Sequence, residues 1–118
     1  LSGYPLTIVG KGNQFRDFLY ISDFVSCIRL FLKNKVHSGQ VFNVGYGKPL
    51  KIKNVIKSIN NKIKLGKPLF GKINLRKEEQ KFIYPNIDKT KKILRWRPKI
   101  KFDNGINKTI KFFKIKNI

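Results

Sequence analysis

The chain has 118 residues, enough for one modest domain, and carries 27 Lys and Arg against 6 Asp and Glu, a formal net charge of +21. Its one cysteine, Cys27, excludes a disulfide scaffold and a four-cysteine zinc site, and its one histidine, His37, argues against a histidine-built metal site; the two read as a core thiol and a loop imidazole. No stretch approaches the roughly 18 uninterrupted apolar residues of a membrane helix and no basic-then-apolar leader opens the chain, so a cytoplasmic protein with no membrane partner is expected; the first residue is Leu1 rather than Met, as in a fragment or a processed product.

Pro5 to Val9 is a strand candidate, and the cluster Gly10-Lys11-Gly12-Asn13 is a turn. Phe15 to Ile21 reads as a second strand. Ser22 or Asp23 then caps a helix running to about Leu32, with Phe24, Ile28, Phe31 and Leu32 on its apolar face. Gly39 ends the connection, Gln40 to Val44 reads as a third strand, and Gly45-Tyr46-Gly47 as a tight turn. From Leu50 to Leu65, Ile52, Val55, Ile56, Ile59 and Ile63 fall on one helical face with Lys and Asn opposite. Gly66 suits the C-cap, and Pro68 blocks continuation. Leu69 to Leu75 is a further strand, and Arg76 to Pro85 a loop. Asp88 to Leu94 is a short helix capped by Asn86 or Asp88 and stopped by Trp96 and Pro98. A last helix from Asp103 to about Lys114 buries Ile106, Ile110 and Phe113. No repeat or linker divides the chain, and the interleaving of short strands with about four helices indicates an α/β or α+β fold.

Two glycine pairs imitate dinucleotide fingerprints and fail. Gly10-x-Gly12 is followed by Phe15 where the third glycine belongs, and it leads into a strand. Gly45-x-Gly47 is expected to follow a strand and precede a helix, as the fingerprint does, but it has Leu50 at that place and no acidic residue some 20 positions on to hold a ribose. Both read as tight turns. No tyrosine has a lysine four residues later, Glu78 and Glu79 are sequence neighbours that point apart, and no serine or cysteine nucleophile has a convincing partner. Ligand-holding residues are present. Gln14 and Arg16 flank Phe15, and on a pleated strand they share one face beside a glycine turn. An arginine fork suits phosphate oxygens; an ion pair of Arg16 with Asp17 or Asp23 is the alternative. Arg76 and Glu79, three residues apart on a loop, suit a diphosphate and a ribose hydroxyl; a solvated charged loop is the alternative.

The run PLTIVGKGNQFRDFLYISDFVSCI resembles a segment of the NAD-dependent epimerase/dehydratase family, the extended short-chain dehydrogenases that act on nucleotide sugars. VFNVGYGKPLKIKNVI is similar to that family's "V-F-N-V-G-x-G" strand and following helix. LRKEEQKFIYPNIDKTKKILRWRPKIKFDNGINKTI is similar to its C-terminal arginine loop, "D-x-x-K-x-x-x-x-L-x-W-x-P" and closing helix. The three blocks keep their order over nearly the whole chain. They specify the family and not one reaction.

The resemblance implies an extended Rossmann-type enzyme of which residues 1–118 are the C-terminal substrate-binding portion. The glycine-rich NAD or NADP site and the Tyr-x-x-x-Lys pair of such an enzyme lie outside these residues, so this chain alone is expected to bind neither cofactor and to be inactive. It further implies that Arg16 and Arg76 contact the diphosphate of a nucleotide sugar, that Glu79 holds the ribose, and that Gln14 lies near the nucleotide. Asp23, Asn43 and Trp96 match as structural residues: a cap, a strand-end hydrogen bonder and a core aromatic. Arg95 departs from the pattern, standing where the family usually has glycine or asparagine. The complete enzyme is expected to be a homodimer.

A small basic nucleic-acid-binding protein is the reading from another class, given the net charge of +21. Against it, the chain has no alanine, and Lys, Ile, Asn and Phe make up half of it. Those residues have A/T-rich codons, so a low-GC genome produces this composition without selection for polyanions. The lysines run from Lys11 to Lys116 without a block, as on a solvated surface. Such a surface still favours anionic ligands and weak, salt-sensitive nucleic-acid binding. A sugar-nucleotide domain is expected to bury Phe18, Tyr20 and Trp96 and to aim Arg16 and Arg76 at one cleft, with no specific nucleic-acid partner.

Overall fold

A computed structural model describes residues 4–33 and 39–115. His37, expected in a loop, lies outside the described residues. The elements in chain order are β1 (Leu6–Val9), β2 (Phe15–Arg16), α1 (Ile21–Lys33), β3 (Leu50–Lys51), α2 (Ile52–Ile63), β4 (Pro68–Ile73), β5 (Phe82–Ile83), α3 (Asp88–Leu94) and α4 (Phe102–Ile115). The fold is mixed α/β, with four helices among the described residues and two small sheets. In one sheet β1 and β4 run parallel, Leu6 opposite Pro68 and Ile8 opposite Phe70, with a bulge before Val9 opposite Ile73. In the other, β2 is central, antiparallel to β3 and parallel to β5.

The helices follow the apolar spacing closely, and their ends reveal the local physics. α2 is two residues shorter at each end than its pattern suggests, because Leu50 and Lys51 are drawn into the sheet beside β2. It closes on Lys64 in the left-handed region (φ 57°), whose N–H donates to the carbonyl of Asn60; Gly66, the expected cap, lies two residues further on. α3 spans the expected residues, with the Asn86 side-chain oxygen accepting from the Asp88 N–H at 2.8 Å. It ends on Arg95, also left-handed (φ 52°). On α4, Ile106 and Ile110 are half-buried and Phe113 is exposed, while Gly105 is buried against Tyr20.

Other expectations need correction. The second strand is confined to Phe15–Arg16, since Asp17 turns away to bind other backbone groups and Tyr20 O already accepts from Asp23 and Phe24 N–H to start α1. Neither Ser22 nor Asp23 is a cap: α1 begins at Ile21, and Asp23, 4% exposed, reaches across to accept from the N–H of Lys99 (2.9 Å) and Ile100 (2.8 Å). The buried stripe of α1 is Asp23 and Cys27 with half-buried Leu30 and Phe31, whereas Phe24, Ile28 and Leu32 are exposed.

Residues 40–44 form no strand, because no described strand lies beside them to complete a ladder. Phe42 and Val44 still alternate inward, and Val41 stays 81% exposed. Asn43 is thereby a loop residue, its side chain donating to Asn86 O and its carbonyl accepting from Thr90 Oγ1. The fourth expected strand starts one residue early, at Pro68. The expected loop from Arg76 to Pro85 contains β5, because Phe82 and Ile83 pair with β2.

The main core joins buried Cys27, Leu94 and Trp96 to Leu19, Leu30, Phe31, Phe42 and Val44. Trp96 donates its indole N–H to Ser26 Oγ at 2.8 Å, so it is a core aromatic as expected. Burial pushes the Cys27 thiol pKa up, in line with an inert core thiol. The chain forms a slab of 49 × 40 × 18 Å with a radius of gyration of 17.0 Å. A compact domain of this length has about 13–14 Å. The slab is therefore thinly packed, and large apolar side chains such as Ile21, Leu32 and Val41 stand exposed on it.

Candidate functional site

The site is built around Arg16, and the three-stranded sheet places it. Arg16 sits opposite Leu50 of β3 on one side and Ile83 of β5 on the other. Phe15 N–H donates to Lys81 O at 2.7 Å, and the Phe15 and Phe82 rings stack at 4.7 Å. β5 is therefore fixed beside β2, and the segment just before it arrives at the arginine. There a turn closes between Arg76 and Glu79, whose N–H donates to Arg76 O at 3.1 Å. The ends of such a turn lie within about 7 Å. Arg16 Nη1 donates to the carbonyls of Phe15 (2.8 Å) and Gln80 (3.1 Å), and Nη2 pairs with Glu79 Oε1. The side chains of Arg16 and Glu79 keep 24% and 29% of their surface accessible.

Of the four residues singled out in the sequence, Arg16 and Glu79 are thus in direct contact, and Arg76 opens the turn that carries Glu79. Gln14 directly precedes β2, its carbonyl accepting from Ile52 N–H at 2.9 Å. It is only 8% exposed, and its Oε1 is sealed off without a partner among the described residues. The two carboxylates that sequence proximity offered to Arg16 are committed elsewhere. Asp23 holds residues 99–100, and Asp17 accepts from the N–H of Tyr46 (2.7 Å) and Gly47 (2.6 Å).

Asp17 is the residue that sequence reasoning underrated. It ties the end of β2 to the 45–47 turn, and its position directly after Arg16 was the only signal for it. A Cβ on Gly45 would lie 2.3 Å from Pro85 and 3.1 Å from Asp17 Oδ1, so the turn can close onto the carboxylate only with glycine there.

The same close packing bears on a dinucleotide. The open sides of Gly10 and Gly12 face Leu75 and the Lys53 backbone, and that of Gly47 faces Ile87. Neither pair opens a helix; the first leads to β2 and the second to β3. The glycines are filled by the protein's own atoms and do not fit a cofactor pyrophosphate. Among the described residues, no group of three or more His, Cys, Asp or Glu is placed to hold a metal ion, and no helix is long and apolar enough to cross a membrane.

Comparison with known proteins bears on the whole arrangement. The family model for GDP-mannose 4,6 dehydratase matches residues 2–109. The UDP-glucuronate 4-epimerase of Thermodesulfobacterium geofontis is 34% identical over 116 residues, covering 93% of this chain and 33% of that protein. A dTDP-4-dehydro-6-deoxyglucose reductase of Escherichia coli is 31% identical, covering 95% and 35%. Among solved structures, the epimerase Mth375 of Methanothermobacter thermautotrophicus shares the fold with a TM-score of 0.88 at 21% identity, over 97% of this chain and 34% of that one. UDP-glucuronic acid 4-epimerase from Bacillus cereus, in complex with NAD, has a TM-score of 0.77 at 25% identity, over 97% and 36%. The chain spans about a third of the length of the relatives it matches. By the family match over residues 2–109 and by its fold, the chain belongs to the GDP-mannose 4,6 dehydratase family, among the NAD-dependent nucleotide-sugar epimerases and dehydratases of the extended short-chain dehydrogenase type.

Proposed function

We propose that this chain is the C-terminal, substrate-side portion of an NAD(P)-dependent nucleotide-sugar epimerase, dehydratase or reductase, and that Arg16 and Arg76 grip the diphosphate of its substrate. The observation that carries this reading is the docking of the Arg76–Glu79 turn onto Arg16, which brings the Glu79 carboxylate to a partly exposed arginine 63 positions away and puts Arg76 at the start of the same turn. Arginine forks match phosphate oxygens in geometry and charge. Glu79 accepts a ribose hydroxyl and Gln14 lines the nucleotide side of the site. NAD or NADP is held by residues outside this chain, which alone neither binds it nor turns over substrate. The complete enzyme works as a homodimer in the cytoplasm. The burial of Trp96 and the half-burial of Phe18 and Tyr20 support this reading, whereas the exposed rings of Phe24, Phe82 and Tyr84 are the ones that nucleic-acid binding would use.

Calorimetric titration of the chain with UDP tests the site. Wild-type binding is expected to weaken by about tenfold or more in Arg16→Gln and in Arg76→Gln, since a hydrogen bond to a charged group contributes about 1.5–3 kcal/mol. Equal affinity in both variants overturns the assignment.

A further inference from the structure

We propose that Glu79 is an internal counter-anion of the phosphate site: it occupies the Arg16 guanidinium in the ligand-free chain and yields it to an incoming diphosphate. This rests on the reading of Arg16 as a phosphate contact. Nη1 of Arg16 is held by two backbone carbonyls, from Phe15 and Gln80, which fix the plane of the fork without neutralising it. Nη2 meets the Glu79 carboxylate, which does neutralise it. A carboxylate presents two oxygens and one charge; a diphosphate presents more of both, on the same planar fork. Both members of the pair are reachable from solvent, so the exchange needs no unfolding.

Charge composition makes this carboxylate unusual. Only six acidic residues face 27 basic ones. Asp17 and Asp23 are consumed by backbone N–H groups, and Asp88 and Asp103 pair with Lys91 and Lys62. Glu78 is exposed and has no ion-pair partner among the described residues, whereas its neighbour Glu79 reaches an arginine 63 positions away. The Gln80 carbonyl stays on Arg16 when Glu79 lets go, so the turn pivots there and remains attached. The freed carboxylate is then available to a hydroxyl of the ligand.

The test titrates pyrophosphate into the 118-residue chain, as wild type, Glu79→Gln, Glu78→Gln and Arg16→Gln. Glu79→Gln is expected to bind about two- to fivefold more tightly than wild type, the range set by the strength of partly exposed ion pairs. Glu78→Gln, with the same change in net charge, is expected to match wild type. No gain in Glu79→Gln, or an equal gain in Glu78→Gln, overturns the counter-anion. If Arg16→Gln binds as well as wild type, the phosphate site itself fails. Side-chain 15N spectra supply a readout independent of affinity, since the chain has only five arginines. Glu79→Gln is expected to move the Arg16 guanidinium signal, and an unmoved signal overturns the pair in solution.

Discussion

Asp23 and Ile100 are joined by a 2.8 Å hydrogen bond from backbone N–H to carboxylate, and the same Oδ2 accepts from Lys99 at 2.9 Å. A side chain in the first turn of α1 thus anchors the segment that enters α4. Asp23→Ala removes one buried acceptor and strands two donors. A loss of about 2–3 kcal/mol is expected, measured as a shift of the urea midpoint. Asp23→Asn keeps an acceptor oxygen and is expected to lose about half as much. A change within experimental error for Asp23→Ala would show that water replaces the carboxylate at no cost.

Arg95 supplies a second case. It ends α3 with φ 52°, at a place where a side chain crowds the backbone and glycine does not. Relief of that crowding is worth about 1–2 kcal/mol, partly offset by the greater freedom of glycine in the unfolded chain. Arg95→Gly is expected to stabilise the chain by about 0.5–1 kcal/mol. Lys64→Gly, at the end of α2 with φ 57°, is expected to have the same sign. Thermal unfolding of the two variants checks both, and destabilisation by either refutes the strain argument.

These ends illustrate how far the sequence was legible. α2, α3 and α4 lie within two residues of their expected bounds because apolar spacing at i, i+3 and i+4 is a local signal. Strands fared worse, since a ladder needs a neighbour that the local sequence does not name. Phe82–Ile83 became a strand only because β2 lies alongside, and residues 40–44 had strand-like alternation with no strand beside them among the described residues. The site divides the same way. Arg16, Arg76 and Glu79 stood out by residue type and resemblance. Sequence proximity pointed Arg16 to Asp17 or Asp23, and only the parallel pairing of β2 with β5 brings Glu79 to it.

Cys27 leads to a third prediction. Its thiol is 1% exposed, and desolvation raises its pKa above the ordinary thiol value. A raised pKa means that the unfolded chain releases this proton first as pH rises. The stabilising contribution is therefore full below the unfolded thiol pKa, about 8.5, and declines above it. The comparison is with Cys27→Ala, which lacks the thiol. The stability advantage of wild type over that variant is expected to be largest near pH 7.5 and to shrink by pH 10. An advantage that stays constant with pH would mean that the thiol titrates alike in both states. Alkylation of folded Cys27 by iodoacetamide is expected to be at least about tenfold slower than in urea, as thiolate and access are both suppressed.

The last prediction concerns the exposed face of α1. Ile21, Val25, Ile28 and Leu32 follow one another at helical spacing, with exposures from 39% to 73%, and Val41 is 81% exposed. An apolar stripe left in water contributes nothing to folding, although it would contribute roughly 25 cal/mol per Å² if covered. Relatives of about three times the length contain the chain that could cover it. Alone, the 118 residues are expected to unfold with less than about 5 kcal/mol of stability, the lower end for natural domains, and to self-associate as concentration rises. Leu32→Glu tests the cause. It lowers the net charge from +21 and so weakens the repulsion between copies, which by itself favours association. It also places a charge on the stripe. If sedimentation shows less association in Leu32→Glu than in wild type, with a urea midpoint unchanged within about 0.5 kcal/mol, the apolar face drives self-association. Equal or greater association would assign the behaviour to another surface, and a monomer with a sharp transition above about 5 kcal/mol would show that these residues form a complete domain by themselves.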